Sequence, residues 1–334
     1  VPDLRFPEFS GEWVETELQD IVPNICSGKD RISNSGEVAL YGSTGVIGRT
    51  NSASYKENIV LVARVGANAG QMQIGNAPCG VTDNTLVIDA KEWNYYIYYF
   101  LQHYNLNRLV FGSGQPLITG GMLKRIKVRY GCKAERNNIT RLLCLIDERI
   151  ATQNKIIEKL ESLIKGIADK LFQTARETKL LLELAPNITS GTDKNGSGTI
   201  PLYGSTGIIG KVKNASQKGN IVLVARVGTI GTVQYVKESC GVSDNALIVE
   251  AGEMTKYIYH FLKTYKFAHI TSGTTQPLIT ASSLKKIAVP TYDIERQTQI
   301  VLCLNILERK LDIEKQYLSD IAMMKQYLLH QMFI

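Results

Sequence analysis

The sequence is short of the features that usually announce chemistry. Its six cysteines, Cys26, Cys79, Cys132, Cys144, Cys240 and Cys303, are scattered, with no Cys-x-x-Cys and no ligand spacing. That excludes a zinc ribbon or finger and leaves reduced, mostly buried thiols of a cytoplasmic protein as the expectation. No apolar run approaches the roughly 18 residues a membrane-spanning helix needs. Val1 to Ser10 mixes charges with two prolines, which is unlike a secretory leader. The four histidines, His103, His260, His269 and His330, stand apart from any carboxylate, cysteine or serine pattern. Gly-x-Ser-x-Gly, His-Glu-x-x-His and Asn-Pro-Pro-Tyr motifs are missing. No catalytic residue and no metal site is expected.

Charge of one sign is also scarce. Lys and Arg number 38 against 31 Asp and Glu in 334 residues, a net charge of +7. The excess is uneven, with 18 basic against 17 acidic residues in 1–161 and 20 against 14 in 162–334. A polyanionic partner is allowed rather than demanded, and the second half is expected to make the more salt-dependent phosphate contacts.

What the chain does have is itself, twice. Leu40–Gly48 (LYGSTGVIG) returns as Leu202–Gly210 (LYGSTGIIG), with eight of nine residues identical. Asn58–Gly66 (NIVLVARVG) returns unchanged at Asn220–Gly228, and the segments at Cys79, Tyr96 and Gln115 return at Cys240, Tyr257 and Gln276. The offset holds at 161 or 162, which marks a duplicated unit of roughly 160 residues. Four segments follow: domains at 1–130 and 176–290, and helical spacers at 131–175 and 291–334.

Each domain is rich in Gly, Asn, Ser and short apolar runs. Ile59–Ala63 and Leu86–Ile88 read as strands, and Trp93–Tyr104 as a helix with its aromatics inward. A compact α/β (α+β) domain built on a mixed, curled sheet is expected. In the first spacer Ile139, Leu143, Ile146, Ile150, Gln153, Ile157, Leu160, Ile164, Ile167 and Leu171 step by alternating four and three. In the second, Ile300, Leu304, Leu307, Leu311, Glu314, Leu318, Ile321, Lys325, Leu328 and Met332 do the same. A period of 3.5 over four heptads signals a coiled coil, the plainer alternative being an amphipathic helix on a globular core.

The first helix would carry the chain about 50 Å between domains. The second can bury the same seam only by returning along it. An antiparallel, pseudo-twofold pair is therefore expected. Gln153 and Glu314 share the one slot that is polar in both seams. A contact there would fix the register, and replacing both with Leu would change register or domain spacing.

The glycine loops tempt a phosphate-binding reading, but the spacing fails. Gly204 and Gly210 enclose five residues where a P-loop has four, and Lys211 is followed by Val212, with Arg49 at its place in the first copy. The pattern is also GxxGxxG rather than a dinucleotide fingerprint. The loops instead offer a binding surface. Tyr41, Ser43 and Thr44, with Tyr203, Ser205 and Thr206, lie in turns that can approach a nucleic-acid backbone closely. Arg64 and Arg226 end a strand beside a glycine, where a guanidinium could fork onto a phosphate or a guanine edge, or instead tie the strand to Asp83 or Asp244. Gln115 and Gln276 precede a proline and could read adenine or cap a turn.

The opening Leu4–Trp13 (LRFPEFSGEW) with Leu18, the paired YGSTG loops, the paired QPLIT segments and the helix starts at Glu135-Arg136 and Glu295-Arg296 together resemble the DNA-specificity subunit of type I restriction-modification systems. The resemblance covers essentially the whole chain in that family's order. It implies a non-catalytic chain on double-stranded DNA, each domain reading half of a bipartite site, with the helices acting as a ruler for the unspecified spacer; the rod of about 50 Å agrees, since it corresponds to about 15 base pairs. It implies as partners two modification subunits that methylate adenine, and restriction subunits. S-adenosylmethionine, ATP and Mg would belong to those partners, so the chain itself carries no cofactor.

The two domains are unusually alike, so related or near-palindromic half-sites are expected. Shared residues should serve the frame or phosphates, which carry no sequence information. Base preference should come from segments that diverge: Gly28–Val38 against Gly191–Thr199, Ala67–Pro78 against Thr229–Ser239, and Gln102–Phe111 against Lys263–Ser272. The last pair places Arg108 opposite Lys263, Lys266 and His269.

Overall fold

A computed structural model describes residues 1–111, 116–175, 177–273 and 277–333. The chain divides into two units, Val1–Asn154 with Gln316–Ile334, and Lys155–Lys315. Each holds one domain and half of each long helix.

The first unit runs β1 (Val14–Glu17), α1 (Leu18–Ile21), β2 (Ile25–Ser27), β3 (Val38–Gly42), β4 (Gly45–Thr50) and β5 (Ile59–Ala63). It continues through β6 (Met72–Gly75), β7 (Cys79–Val81), β8 (Thr85–Ile88), α2 (Asn94–Tyr104), α3 (Gly120–Lys124) and β9 (Lys127–Tyr130) into α4 (Lys133–Gln173). The second repeats this as β10 (Glu177–Leu180), α5 (Leu181–Leu184), β11 (Asn187–Ser190), β12 (Ile200–Gly204), β13 (Gly207–Val212) and β14 (Ile221–Ala225). Then come β15 (Val233–Val236), β16 (Gly241–Val242), β17 (Ala246–Glu250), α6 (Thr255–Thr264), α7 (Ala281–Lys285), β18 (Ala288–Thr291) and α8 (Ile294–Met332).

Among the described residues, each domain distributes its strands over three small sheets. In the first unit a four-stranded antiparallel sheet has the order β2-β8-β5-β6, a three-stranded sheet β4-β3-β7, and β1 pairs with β9. Mixed pairing is confined to the three-stranded sheet, where β3 is antiparallel to β4 and parallel to β7. The second unit copies the arrangement as β11-β17-β14-β15, β13-β12-β16 and β10-β18.

Ile59–Ala63 is apolar at every position because both of its faces are covered. Val60 and Val62 point into a core with Ile97, Phe100 and Leu101 of α2, while Ile59 and Leu61 join Tyr41, Cys79, Val81 and Val87 on the other side. In the copy Val222 and Val224 face Ile258 and Leu262, and Ile221 and Leu223 join Cys240, Val242 and Ile248. The helix over the sheet is tied down identically in both units. Tyr96 Oη donates to Arg129 O at 2.7 Å, and Tyr257 Oη donates to Pro290 O at 2.7 Å.

Within each unit the two long helices run antiparallel. In the first, Asp147 of α4 pairs with Lys325 of α8 at 2.7 Å, and the Arg149 guanidinium lies 5.4 Å from the Tyr317 ring centroid. In the second, Glu161 pairs with Lys315 at 2.6 Å. Leu143, Ile146, Ile300 and Leu304 are buried as the seam requires, and so is Gln153. Glu314 is partly buried, with Lys310 of its own helix on its carboxylate at 2.5 Å. Toward the end of α4 the buried positions move to Ala168 and Phe172, because there the helix packs on the domain core and follows its natural 3.6-residue period.

The thiols correct one expectation. Only Cys79 and Cys240 are buried, Cys144 is half-buried, and Cys26, Cys132 and Cys303 are exposed. Cys303 is exposed on α8 at the flank of the buried Ile300 and Leu304, and Cys132 lies in the link before α4. Burial pushes the Cys79 and Cys240 thiols up to about 11.

Two outcomes follow. Brief alkylation of the native chain at neutral pH, read by peptide mass spectrometry, will label Cys26, Cys132 and Cys303 and spare Cys79 and Cys240. Tyr96→Phe and Tyr257→Phe will each cost about 1 kcal/mol in denaturant unfolding, each leaving one backbone carbonyl without its donor.

Candidate nucleic-acid interface

Three loops gather at the exit of the central strand in each domain. In the first, Arg64 N donates to Asn84 O at 2.9 Å, and Arg64 O accepts from Ile118 N at 2.9 Å. Gly66 N donates to Pro116 O at 3.0 Å. In the second, Arg226 N donates to Asn245 O and Arg226 O accepts from Ile279 N, both at 3.0 Å. The backbone on either side of each arginine is thus held by two neighbouring loops.

The hairpin tip joins this cluster through a glutamine the sequence reading did not single out. Gln73 Nε2 donates to Gly42 O at 2.7 Å, and Gln234 Nε2 donates to Gly204 O at 2.9 Å. Thr229 Oγ1 adds a bond to Ser205 O at 3.0 Å. Gly45 and Gly207 take φ of +114° and +117°, so the tight turns at Ser43-Thr44 and Ser205-Thr206 need glycine after them. A second framework residue also went unnoticed. Asp30 accepts from Val81 N at 2.8 Å and Asp193 from Val242 N at 2.7 Å, each also held by a serine hydroxyl. Only the repeat, which keeps Asp and Gln at matching places, could have revealed them.

Arg64 and Arg226 are half-buried, and among the described residues neither forms an ion pair or side-chain hydrogen bond. The tie to Asp83 or Asp244 is therefore not made. Arg226 Nε is buried, with no hydrogen-bond acceptor among the described residues. Thr44 and Thr206 are exposed at the hairpin tips, with Ser43 and Ser205 half-buried beside them.

Arg108 is exposed on the turn Leu106–Leu109, its guanidinium 5.2 Å from the Tyr104 ring centroid. That turn lies against Gly70, and Phe267 lies against Gly231 in the copy, which brings exposed Lys266 to the same end. Lys211 is exposed on β13, where Arg49 is exposed on β4. Gln115 and Gln276 lie outside the described residues.

Two candidates fall elsewhere. Tyr41 is buried in the core and its hydroxyl accepts from Asn76 N at 3.2 Å, so it braces the hairpin from within, while Tyr203 is half-buried in the matching place. Lys263 points to the helix side, where Glu308 holds its ammonium at 2.5 Å. It lines a cavity of about 320 Å³ with His260, Leu304 and Lys315, away from the loops. Among the described residues no His, Cys, Asp and Glu group has the makings of a metal site, and no helix is long and apolar enough to cross a membrane.

The family model described as type I restriction modification DNA specificity domain matches residues 10–162 and again residues 181–323. The chain belongs to this family. The specificity domain is therefore present twice, once in each copy of the repeat. A putative type I specificity subunit of Mycoplasma genitalium is 24% identical over 99% of this chain and 92% of its own length. The MjaVIII type I specificity subunit of Methanocaldococcus jannaschii is 30% identical over 51% of this chain and 43% of its own. A putative type I specificity subunit of Haemophilus influenzae matches over only 30% of its length. Among solved structures, the S subunit of a type I restriction-modification system from M. genitalium superposes with TM-score 0.71 at 19% identity, covering 100% of this chain and 99% of its own. A chain from a structure on complex assembly and conformational transition of the type I system does so with TM-score 0.57 at 13% identity, covering 98% of each. Both chains share the fold described above.

Two histidines set a pH dependence for the frame. Burial lowers His103, helped by His330 (ring centroids 6.1 Å apart) and Arg108. Burial also lowers His260, against the opposing pull of Glu308 at 3.7 Å and of Asn305, which shares a hydrogen bond with its Nε2 at 3.0 Å; Lys263 and Lys256 also lower it. The fold favours the neutral form of both rings, while the unfolded chain takes up the proton at the ordinary value of 6.5. Their contribution is therefore present above pH 6.5 and is lost as pH falls below it. Thermal unfolding followed from pH 8 to pH 5 will show this fall, and a His103→Asn, His260→Asn double variant will show a shallower one.

Proposed function

We propose that this chain is the non-catalytic DNA-reading subunit of a type I restriction-modification complex, each domain engaging one half of a bipartite double-stranded site. The observation that carries this is the pair of arginines, Arg64 and Arg226. Each is fixed by its backbone among three loops, and each presents a guanidinium with no acidic partner among the described residues. Because both copies keep the residue and its setting, it serves the phosphates and sets the register of the domain on the duplex. Arg108 in one domain and Lys266 in the other stand on segments that diverge, at the same end of the fold, and supply the difference in base preference.

The helices carry the partners. In the second unit Leu302, Ile306 and Ile313 of α8 are exposed, and in the first unit Tyr317, Met323, Met324 and Tyr327 are exposed. Apolar side chains recurring on the outside of a helix whose inner seam is already packed fit the docking of two modification subunits. Methyl transfer, ATP use and cleavage belong to those subunits and to the restriction subunits, and this chain needs no cofactor or metal of its own. Gln153 and Glu314 hold the register of the helix pair.

Fluorescence anisotropy on the assembled complex, at one fixed salt concentration, tests the arginines. Arg64→Ala and Arg226→Ala will each weaken DNA binding by about tenfold to a hundredfold, the worth of one charged hydrogen-bonded contact, without altering the recognised motif. Unchanged affinity in both variants would remove them from the interface.

A further inference from the structure

The hairpin beside each arginine carries an apolar surface that the phosphate contacts leave unexplained. Strands β3 and β4 pair with a slip in register, since Leu40 faces Gly48 while Tyr41 faces Val46, which leaves Ile47 as an extra residue. The copy has the same bulge, with Leu202 facing Gly210, Tyr203 facing Ile208, and Ile209 extra. Bulges re-aim side chains. Val46 and Ile47 are 58% and 43% exposed, and Ile208 and Ile209 are 64% and 46% exposed. In the first domain Ile32, 62% exposed, lies across Gly48 and lengthens the ridge. In the second, Asn195 covers Gly210 and accepts from Lys211 N at 3.0 Å.

Both strands are at a sheet edge, since β4 and β13 are terminal in their three-stranded sheets. An exposed branched apolar pair on an edge strand is an aggregation liability that sequences normally blunt. Here it is kept in both copies, so whatever covers it is met once by each domain. Two features of the surroundings point to DNA. An exposed cation follows two residues later in each copy, Arg49 in one and Lys211 in the other. Exchange of Arg for Lys suits a point contact with phosphate and not a two-pronged reading of a base. Residues 194–213 also hold Lys194, Lys211 and Lys213 and no carboxylate. The same hairpin ends at the Ser-Thr tip, whose base Gln73 of β6 and Gln234 of β15 tie to the strand that follows the arginine loop.

We propose that the bulged hairpin of each domain is a DNA wedge. Val46-Ile47 and Ile208-Ile209 press on the base steps of their half-site while Arg49 and Lys211 take the flanking phosphate. Apolar side chains cannot read base edges by hydrogen bonds, but they can insert at a base step, where their contact with the base faces offsets part of the few kcal/mol that unstacking costs. The inference rests on the DNA-reading function proposed above and adds to it a deforming contact that is independent of sequence.

The test uses the chain assembled with its modification subunits and a duplex carrying its methylated motif, with 2-aminopurine placed in turn at positions across each half. The variants are Val46→Ser with Ile47→Ser, and Ile208→Ser with Ile209→Ser, with Thr at the same four positions should Ser prevent folding. The native complex will raise 2-aminopurine fluorescence in both halves. Each double variant will lose the signal from one half only and weaken binding by about tenfold or more, while still co-purifying with the modification subunits. Unchanged signal and affinity would overturn the wedge. So would variants that lose the modification subunits, since the ridge would then be a protein-docking surface. A native complex that binds no motif DNA would instead fail the DNA-reading function itself, before any variant is compared.

Discussion

A strand buried on both faces cannot slip by one residue without exposing one core and overfilling the other. Ile59–Ala63 is such a strand, and Ile221–Ala225 is its copy. Alternate side chains lock it to the helix on one side and to the three-stranded sheet on the other, so the residue at its end has a fixed place. That residue is an arginine in both copies. The loops that bond to its backbone inherit the strand's position, and the hairpin inherits it through Gln73 and Gln234. A rigid interior thus delivers glycine loops to a defined surface.

The sequence made the duplication, the central strands and the two long helices legible, because identity at a constant offset and a period of 3.5 are strong signals. Surface against core was less so. Tyr41 stands next to a glycine-rich turn in sequence, with Gly42 and Gly45 after it, yet it lies on the inner side of β3. Lys263 looked like a DNA contact because its segment diverges, yet it stands on the helix-facing side of α6 and is held by Glu308, a residue 45 positions away. Neither fact is local in sequence. The exposed cysteines depend on tertiary placement too, since Cys26 lies on β2, Cys132 in the link before α4 and Cys303 at the flank of the buried face of α8.

Likeness between the copies also concealed a difference. Glu135-Arg136 and Glu295-Arg296 look equivalent as helix openings. Glu135 is fully buried, with Arg5 donating to it at 2.6 and 2.8 Å and Trp13 Nε1 at 3.2 Å, while the Arg136 guanidinium sits 3.3 Å from the Trp93 ring centroid. Glu295 and Arg296 are exposed. The first unit has a leading segment, Leu4–Trp13, to cover its helix start, and the second copy has no matching sequence before β10. A buried carboxylate persists only when paired, so Arg5 and Trp13 are fixed parts of the first domain.

The central claim is that one frame, repeated, brings two similar surfaces to two halves of a DNA site. Single-molecule methylation sequencing of DNA from cells expressing this chain with its modification subunits tests it most directly. The account predicts a bipartite methylated motif whose half-sites are related as near-palindromes across an unspecified spacer. A motif with one contiguous element, or with two unrelated halves, would contradict it.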